Sequence, residues 1–324
     1  MNPLDIPAAQ DVLDAARRIE NRVRRTPVLD DAHLDELSGA RLHFKCENLQ
    51  YGGAFKLRGA MNAVWSLSEA EASAGVATHS SGNHGAALAL AARSRGIACH
   101  AVVPDGAVRS KLDNIAANGA MIHRCAANQQ AREAGLALVL AQTGAVPIPP
   151  FDDARVIAGQ GTAALELMQD VPGLECLVAP VGGGGLAAGT VLAAGIGSPT
   201  PLVYAAEPRG ADDTWRSLSS GVRVTEQVPA TIADGLRTTV GARNFEILRG
   251  GLAAVLCVDE HEIIAAMKLA WSRLKLVIEP SSAVALAAIL RHREHFAGRR
   301  VGVILSGGNV DLDQLPWLTQ QRPN

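Results

Sequence analysis

Apolar and polar positions follow two periods that take turns for most of the chain. Over residues 8–24, Val12, Ala15, Ala16 and Ile19 recur at helical spacing against a basic outer face, which predicts a helix that Arg25-Thr26-Pro27 ends. Residues 41–45 read as a short strand. Between residues 75 and 119 the order is strand (76–79), glycine turn, helix (85–95), strand (98–103), a turn at Pro104-Asp105-Gly106, then a helix from about residue 110. The strand-turn-helix grammar returns at 177–194, and further strands follow at 202–207 and 300–305. Alternation on this scale predicts an α/β fold whose parallel sheets carry helices on both faces, with ligands outside the carboxyl ends of the strands. The turns that follow strands are therefore where chemistry is expected.

Composition narrows the class. With 324 residues the chain is long enough for one large or two interleaved domains. Lys plus Arg is 30 against 32 Asp plus Glu, a formal charge of −2 with no basic block, which argues against nucleic acid as a partner. A hydrophobic share of 48% with 3% aromatic residues is too apolar for disorder and too poor in Tyr and Trp for a carbohydrate groove, so a small-molecule enzyme fits best. Residues 176–206 carry no charge, but glycines and prolines break the run into strand, loop, helix and strand, not a membrane span. Cys46, Cys99, Cys125, Cys176 and Cys257 form no C-x-x-C pair and are expected as reduced thiols. The first ten residues lack the basic start and apolar stretch of a secretory signal, which predicts a cytoplasmic protein. The Pro-rich stretch 146–151 is the best candidate for a crossover between domains, with the active site in the cleft between them.

Four turns carry the chemistry. Gly53-Ala54-Phe55-Lys56-Leu57-Arg58-Gly59 sets a lysine between large apolar residues, where desolvation disfavours the ammonium and leaves an amine able to form a Schiff base. The same triplet also suits a snorkelling surface lysine. Gly182, Gly183, Gly184 and Gly185, then Leu186, follow an apolar strand and open an Ala-rich helix, so backbone N–H groups can cup a phosphate. The turn lacks the spacing of a dinucleotide site and the Lys-Ser/Thr of a P-loop. Ser80-Ser81-Gly82-Asn83-His84-Gly85 gathers two hydroxyls, an amide and an imidazole at a helix start, which suits a substrate carboxylate with Ser81 as a proton carrier. Ser306-Gly307-Gly308-Asn309 ends the last strand with a hydroxyl placed for a ring nitrogen or another ligand atom.

In this order the four turns resemble the fold-type II enzymes that use pyridoxal 5′-phosphate, and within them the serine racemase and serine/threonine dehydratase group. The resemblance covers nearly the whole chain. It includes Phe44-Lys45-Cys46-Glu47-Asn48, the Phe-Lys-x-Arg-Gly form at 55–59, the Ser-Ser-Gly-Asn-His-Gly turn and Val156-Ile157-Ala158-Gly159-Gln160-Gly161-Thr162. The glycine loop, Thr231-Ile232-Ala233-Asp234-Gly235, Glu279-Pro280-Ser281-Ser282 and Ser306-Gly307-Gly308-Asn309-Val310-Asp311 complete it. It implies a tryptophan synthase β-like fold of two three-layer α/β domains with mostly parallel sheets and the active site between them. The large, discontinuous domain would take residues 1–70 and 149–324, and the small domain 71–148.

The resemblance also implies roles. Lys56 would be the Schiff-base lysine, Phe55 would pack on the cofactor ring, and Asn83 would bond its phenolic oxygen. Gly182 to Gly185 with Leu186 would hold the phosphate, and Ser306 would face the ring nitrogen, a neutral partner that favours β-elimination over transamination. Lys56 and Ser81 would act on opposite ring faces, an arrangement that also permits racemisation. Ser80, Ser81, Asn83, His84 and Arg132 would bind substrate. Glu207, the Ala211 carbonyl and Asp213 are similar to the divalent-cation site of the racemase group, an oxygen shell suited to Mg²⁺, Mn²⁺ or Ca²⁺.

Residues 271–280 and 306–317 look like bacterial 3-hydroxyaspartate dehydratases, which need a cation for the second carboxylate; Arg132 and His84 are the candidates. Ala87 and Asn118 depart from familiar racemases, where Gln and Tyr are usual. The expectation is a pyridoxal-phosphate-dependent ammonia-lyase that dehydrates serine, threonine or 3-hydroxyaspartate to a 2-oxo acid and ammonia. A serine or aspartate racemase with side dehydratase activity, and a non-catalytic amino-acid sensor on the same fold, are the alternatives. A homodimer without nucleic-acid or membrane partners is expected. No room is left for a C-terminal regulatory domain, so feedback inhibition by isoleucine is not expected.

Overall fold

The computed structural model describes residues 4–106 and 109–319. Its strands are β1 (Val28–Leu29), β2 (Arg41–Cys46), β3 (Val76–Thr78), β4 (Cys99–Pro104), β5 (Met121–Cys125), β6 (Val146–Pro147), β7 (Cys176–Pro180), β8 (Leu202–Pro208), β9 (Leu252–Val258) and β10 (Arg300–Leu305). They assemble into a six-stranded sheet in the order β1-β2-β10-β7-β8-β9 and a four-stranded sheet in the order β5-β4-β3-β6. Only the β1–β2 pairing is antiparallel among the described residues. Parallel neighbours need crossovers, and the helices Asn83–Arg95, Arg109–Ala117 and Gly185–Ala194 are three of them. β7 is buried at all five positions and reads as an unbroken apolar run, as a strand covered on both faces should. Residues 176–206 fold as β7, the glycine turn, a helix and β8, and no described helix is long and apolar enough to cross a membrane.

The smaller sheet takes its strands from residues 76–147 and the larger sheet from the chain on either side. The helix Lys56–Trp65 nevertheless shares one apolar cluster with the smaller sheet: Leu57, Ala60, Met61 and Val64 pack with Val76, Leu88 and Ala91. A boundary at residue 70 therefore passes through a core. The helix Ala154–Asp170 lies against Lys56–Trp65 at a glycine crossing, where a Cβ on Gly159 would fall 2.6 Å from the Arg58 carbonyl oxygen. Only glycine allows that approach.

The first helix spans Ala9–Ile19 instead of continuing to residue 24. Gln50 accounts for the difference. Its side chain accepts from Arg24 N (2.8 Å) and donates to Arg24 O (2.7 Å), so the backbone there is bonded to a distant amide in place of a helical neighbour.

Candidate active site

β2, β10 and β7 are adjacent, and the turns beyond their carboxyl ends meet. After β2 two short 3₁₀ turns lead to Lys56, the first residue of its helix. This loop is stitched to the turn after β10: Phe55 N donates to Ser306 O (3.0 Å) and Gly308 N to Gly53 O (2.9 Å). Beyond β7 come the four glycines, and beyond β3 of the other sheet the Ser80–Ser81 turn. All four face a cavity of about 1360 Å³ between the sheets. Phe55, Lys56, Ser80, Ser81, Asn83, His84, Arg132, the glycines 182–185, Leu186 and Ser306 all line it, so every sequence-predicted cofactor and substrate residue is brought together.

Lys56 Nζ donates to Pro150 O (2.7 Å) and lies 5.0 Å from the centre of the Phe55 ring. Burial pushes its pKa down to about 8, although the Glu279 carboxylate works the other way. The site thus holds an amine that is easily deprotonated. Asn83 Nδ2 donates to both oxygens of Glu279 (3.0 Å each), and Asn83 Oδ1 accepts from Asn309 Nδ2 (3.0 Å). Glu279 and Asn309 belong to motifs visible in the sequence, but their part in fixing Asn83 was not.

His84 is 2% exposed and its Nε2 lies 2.9 Å from Ile148 O, which makes Nε2 the protonated nitrogen. Its Nδ1 is buried without a partner. Burial, and then the nearby Lys56 charge, push the imidazole pKa down to about 3. The expectation that His84 could supply a cation for a second carboxylate is therefore corrected: it is neutral and offers an acceptor. Arg132, on the helix Gln129–Thr143, is the charged candidate that remains of the two. Its Nε is buried without a hydrogen bond, and among the described residues no acidic side chain pairs with its guanidinium. Arg237, which the sequence did not single out, also lines the cavity, but its guanidinium donates to Thr231 O (2.7 and 3.0 Å).

The glycine turn is built as a cradle. Gly184 has φ +93°, and a Cβ there would fall 2.8 Å from Asn244 Cβ; a Cβ on Gly183 would run into the Phe151 ring. Asn244 Nδ2 (2.6 Å) and Gly241 N (3.1 Å) hold the Gly183 carbonyl. Among the described residues nothing accepts a hydrogen bond from the N–H groups of Gly182, Gly183, Gly184, Gly185 or Leu186. Five free amides at a helix start fit a phosphate. With the Lys56 amine in the same cavity, the residues present fit pyridoxal phosphate.

The crossover after β6 threads past this site. Ile148 O meets His84 and Pro150 O meets Lys56, while the Asp152 carboxylate accepts from Ala242 N and Arg243 N (3.0 Å each) at the start of the helix Ala242–Gly251. Asp153 then caps Ala154–Asp170. The expected cation ligands lie apart from these groups. Glu207 is fully buried and accepts from Thr214 N (3.0 Å) and Trp215 N (2.9 Å). Asp213 accepts from Val240 N (2.7 Å) and Gln227 Nε2 (2.8 Å). Burial, then the neighbouring Asp213, pushes the Glu207 carboxyl up to about 8. Among the described residues no group of three or more His, Cys, Asp or Glu is arranged to hold a metal.

Comparison with known proteins places this architecture. A model of the pyridoxal-phosphate dependent enzymes matches residues 19–307. The β-hydroxyaspartate dehydratase of Paracoccus denitrificans is 48% identical over 312 residues, covering 96% of this chain and 99% of that one. The serine racemase of Dictyostelium discoideum is 49% identical over 319 residues, covering 97% and 98%. The structure of maize serine racemase superposes with a TM-score of 0.94 at 41% identity, covering 97% of each chain. Cradle, buried amine and nearly full-length identity agree, and the chain belongs to the pyridoxal-phosphate dependent enzymes, with the fold-type II architecture.

Proposed function

We propose that this enzyme removes water from a small 3-hydroxy amino acid to give a 2-oxo acid and ammonia, with 3-hydroxyaspartate favoured over serine and threonine. The observation that carries the preference is Arg132: a guanidinium without a protein partner among the described residues, in the cavity that holds Lys56, beside a histidine whose pKa burial pushes down to about 3. A substrate carrying a second carboxylate completes it. The names of the Paracoccus and Dictyostelium relatives support a dehydratase and a racemase respectively.

Bound pyridoxal phosphate supplies an aldehyde that condenses with amines and a ring that withdraws electrons from the substrate Cα. The free amides of Gly182 to Leu186 hold its phosphate. Phe55 would flank the ring, Ser306 would meet its nitrogen, and Asn83, held by Glu279, would bond its phenolic oxygen. Lys56, whose lowered pKa leaves much of it neutral near pH 8, takes the Cα proton. The β-hydroxyl leaves with a proton as water, and hydrolysis of the resulting imine gives the 2-oxo acid and ammonia. Ser80 and the Asn83–His84 helix start face the α-carboxylate, and the His84 Nδ1 lone pair accepts from a substrate donor. Ser81 is the second proton carrier that would allow racemisation as a side reaction. A divalent cation on Glu207, Ala211 and Asp213, a homodimer and a cytoplasmic location belong to the same proposal.

A panel of serine, threonine and the four 3-hydroxyaspartate stereoisomers, scored for ammonia, 2-oxo acid and chirality, tests it. The expected result is the highest kcat/KM on one 3-hydroxyaspartate isomer. Arg132→Met should lower that value about 10²-fold, the loss of a charge-assisted pair, and leave serine within a few-fold. Faster turnover of serine sinks the preference, chirality exchange outrunning ammonia release makes the enzyme a racemase, and silence on every substrate favours a sensor.

A further inference from the structure

Directly behind the lysine loop lies a cluster of buried charge that the chemistry above does not use. Arg58, two residues after Lys56, is fully buried, and all three guanidinium nitrogens are engaged. Its Nε and Nη2 donate to the two oxygens of Glu47 (2.8 Å each), and Nη1 and Nη2 to the two oxygens of Glu166 (2.8 Å each). Nη1 also reaches Thr162 Oγ1 (3.2 Å). Lys45, likewise fully buried, pairs with Glu166 (2.7 Å) and donates to Thr26 O (2.8 Å), while Thr26 Oγ1 donates to Glu47 (2.5 Å). Lys45 also lies 3.5 Å from Asp170, which pairs in turn with Arg25 (2.6 Å), so three cations face three anions and the set is neutral.

The cluster joins three elements: Lys45 and Glu47 at the end of β2, Arg58 in the first turn of Lys56–Trp65, and Thr162 and Glu166 on Ala154–Asp170. The grip on the lysine helix continues along its length. Gly59 N donates to Gln160 Oε1 (3.1 Å), and Asn62 Nδ2 donates to Arg155 O (2.7 Å). The residue before Lys56, Phe55, gives its helix no side-chain cap. The first turn is therefore positioned by Arg58 on one side and by the Ser306–Gly308 stitches on the other. A planar fork bonded to two carboxylates fixes rotation as well as position, which a point charge does not.

We infer that Arg58, clamped between Glu47 and Glu166, is a positioning residue for Lys56: it holds the first helical turn so that the amine stays on Pro150 O and at reach of the substrate carbon. This rests on Lys56 being the reactive lysine. The loosened clamp of Arg58→Lys would let Nζ move off Pro150 O toward the more open part of the cavity, and the amine would then titrate closer to an ordinary lysine.

The test uses the full chain, with and without pyridoxal 5′-phosphate. In the cofactor-stripped protein, trace acetic anhydride labelling of the Lys56 peptide across pH gives the midpoint of its amine. Arg58→Lys should move that midpoint up by about one to two pH units, and Glu166→Gln should move it the same way by less. In the holoenzyme Arg58→Lys should lower kcat about 10²-fold, with KM within about threefold. Phe296→Leu, a cavity in the core far along the sheet, should lower the melting temperature without moving the midpoint. If Arg58→Lys does not fold, Glu166→Gln decides. A folded variant with an unchanged midpoint overturns the inference. Borohydride reduction of the native holoenzyme separates the two readings, because a cofactor trapped on any lysine other than Lys56 removes the premise itself.

Discussion

The cavity around Lys56 and the ion cluster behind Arg58 lie back to back, both bury charge, and their hydrogen bonds are distributed in opposite ways. In the cluster, Arg58 and Lys45 face Glu47, Glu166 and Asp170, while Thr26 donates to Glu47 and Thr162 accepts from Arg58. In the cavity, five glycine-turn amides, His84 Nδ1 and Arg132 Nε have no protein partner. Desolvated polar groups left unpaired cost roughly 1–3 kcal/mol each, so several of them gathered in one cavity point to a ligand that completes them. The difference separates groups that hold the machinery still from groups that await something to hold.

The largest effect that would sharpen this contrast is at its boundary. Lys56→Ala should lower dehydration by about 10⁴-fold or more and abolish the borohydride-reducible yellow band, with the fold intact by circular dichroism. A variant that still forms that band would mean that another amine serves the cavity.

Next comes the cradle. Gly183→Ala puts a methyl group into the Phe151 ring, and the overpacking should cost about 1–3 kcal/mol of stability. It should also weaken pyridoxal phosphate binding about tenfold or more, because the free amides must shift. Equilibrium titration of the 400-nm-region band and a melting curve measure the two. Unchanged affinity would show that the phosphate sits elsewhere.

The smallest effect is at the cluster and depends on pH. Burial raises the Glu166 carboxyl, but Arg58 and Lys45 outweigh it and hold the pKa below the ordinary carboxylate value. Its charged form therefore stabilises the native state above that ordinary value, and the contribution is lost as the pH falls through the native one. The urea midpoint of the native enzyme should drop as the pH falls from about 5 to about 3, and that of Glu166→Gln should drop less. Parallel curves would mean that Glu166 contributes nothing to acid sensitivity.

Much of this molecule was legible from local pattern. The strands read at 98–103, at the start of 177–194 and at 300–305 coincide with β4, β7 and β10, and the glycine turns after the last two carry the site, since a strand buried on both faces leaves an unbroken apolar run and a cradle leaves glycines. β9 was not legible: it sits at a sheet edge with half its residues partly exposed, and it follows a helix with only Gly250 and Gly251 as punctuation. The helix expected to reach residue 24 was cut short by Gln50, a contact from 26 residues away.

The chain by itself therefore determined the fold class and the four turns, the one that carries Lys56 among them, because each depends on local backbone freedom or on a run of burial. Tertiary structure alone decided charge and partnership: that His84 is neutral, that Asn83 leans on Glu279, and that Arg58 is clamped by carboxylates 11 residues before it and 108 residues after it. Protonation and pairing depend on what desolvates a group and what stands opposite it, and those neighbours arrive from distant parts of the chain.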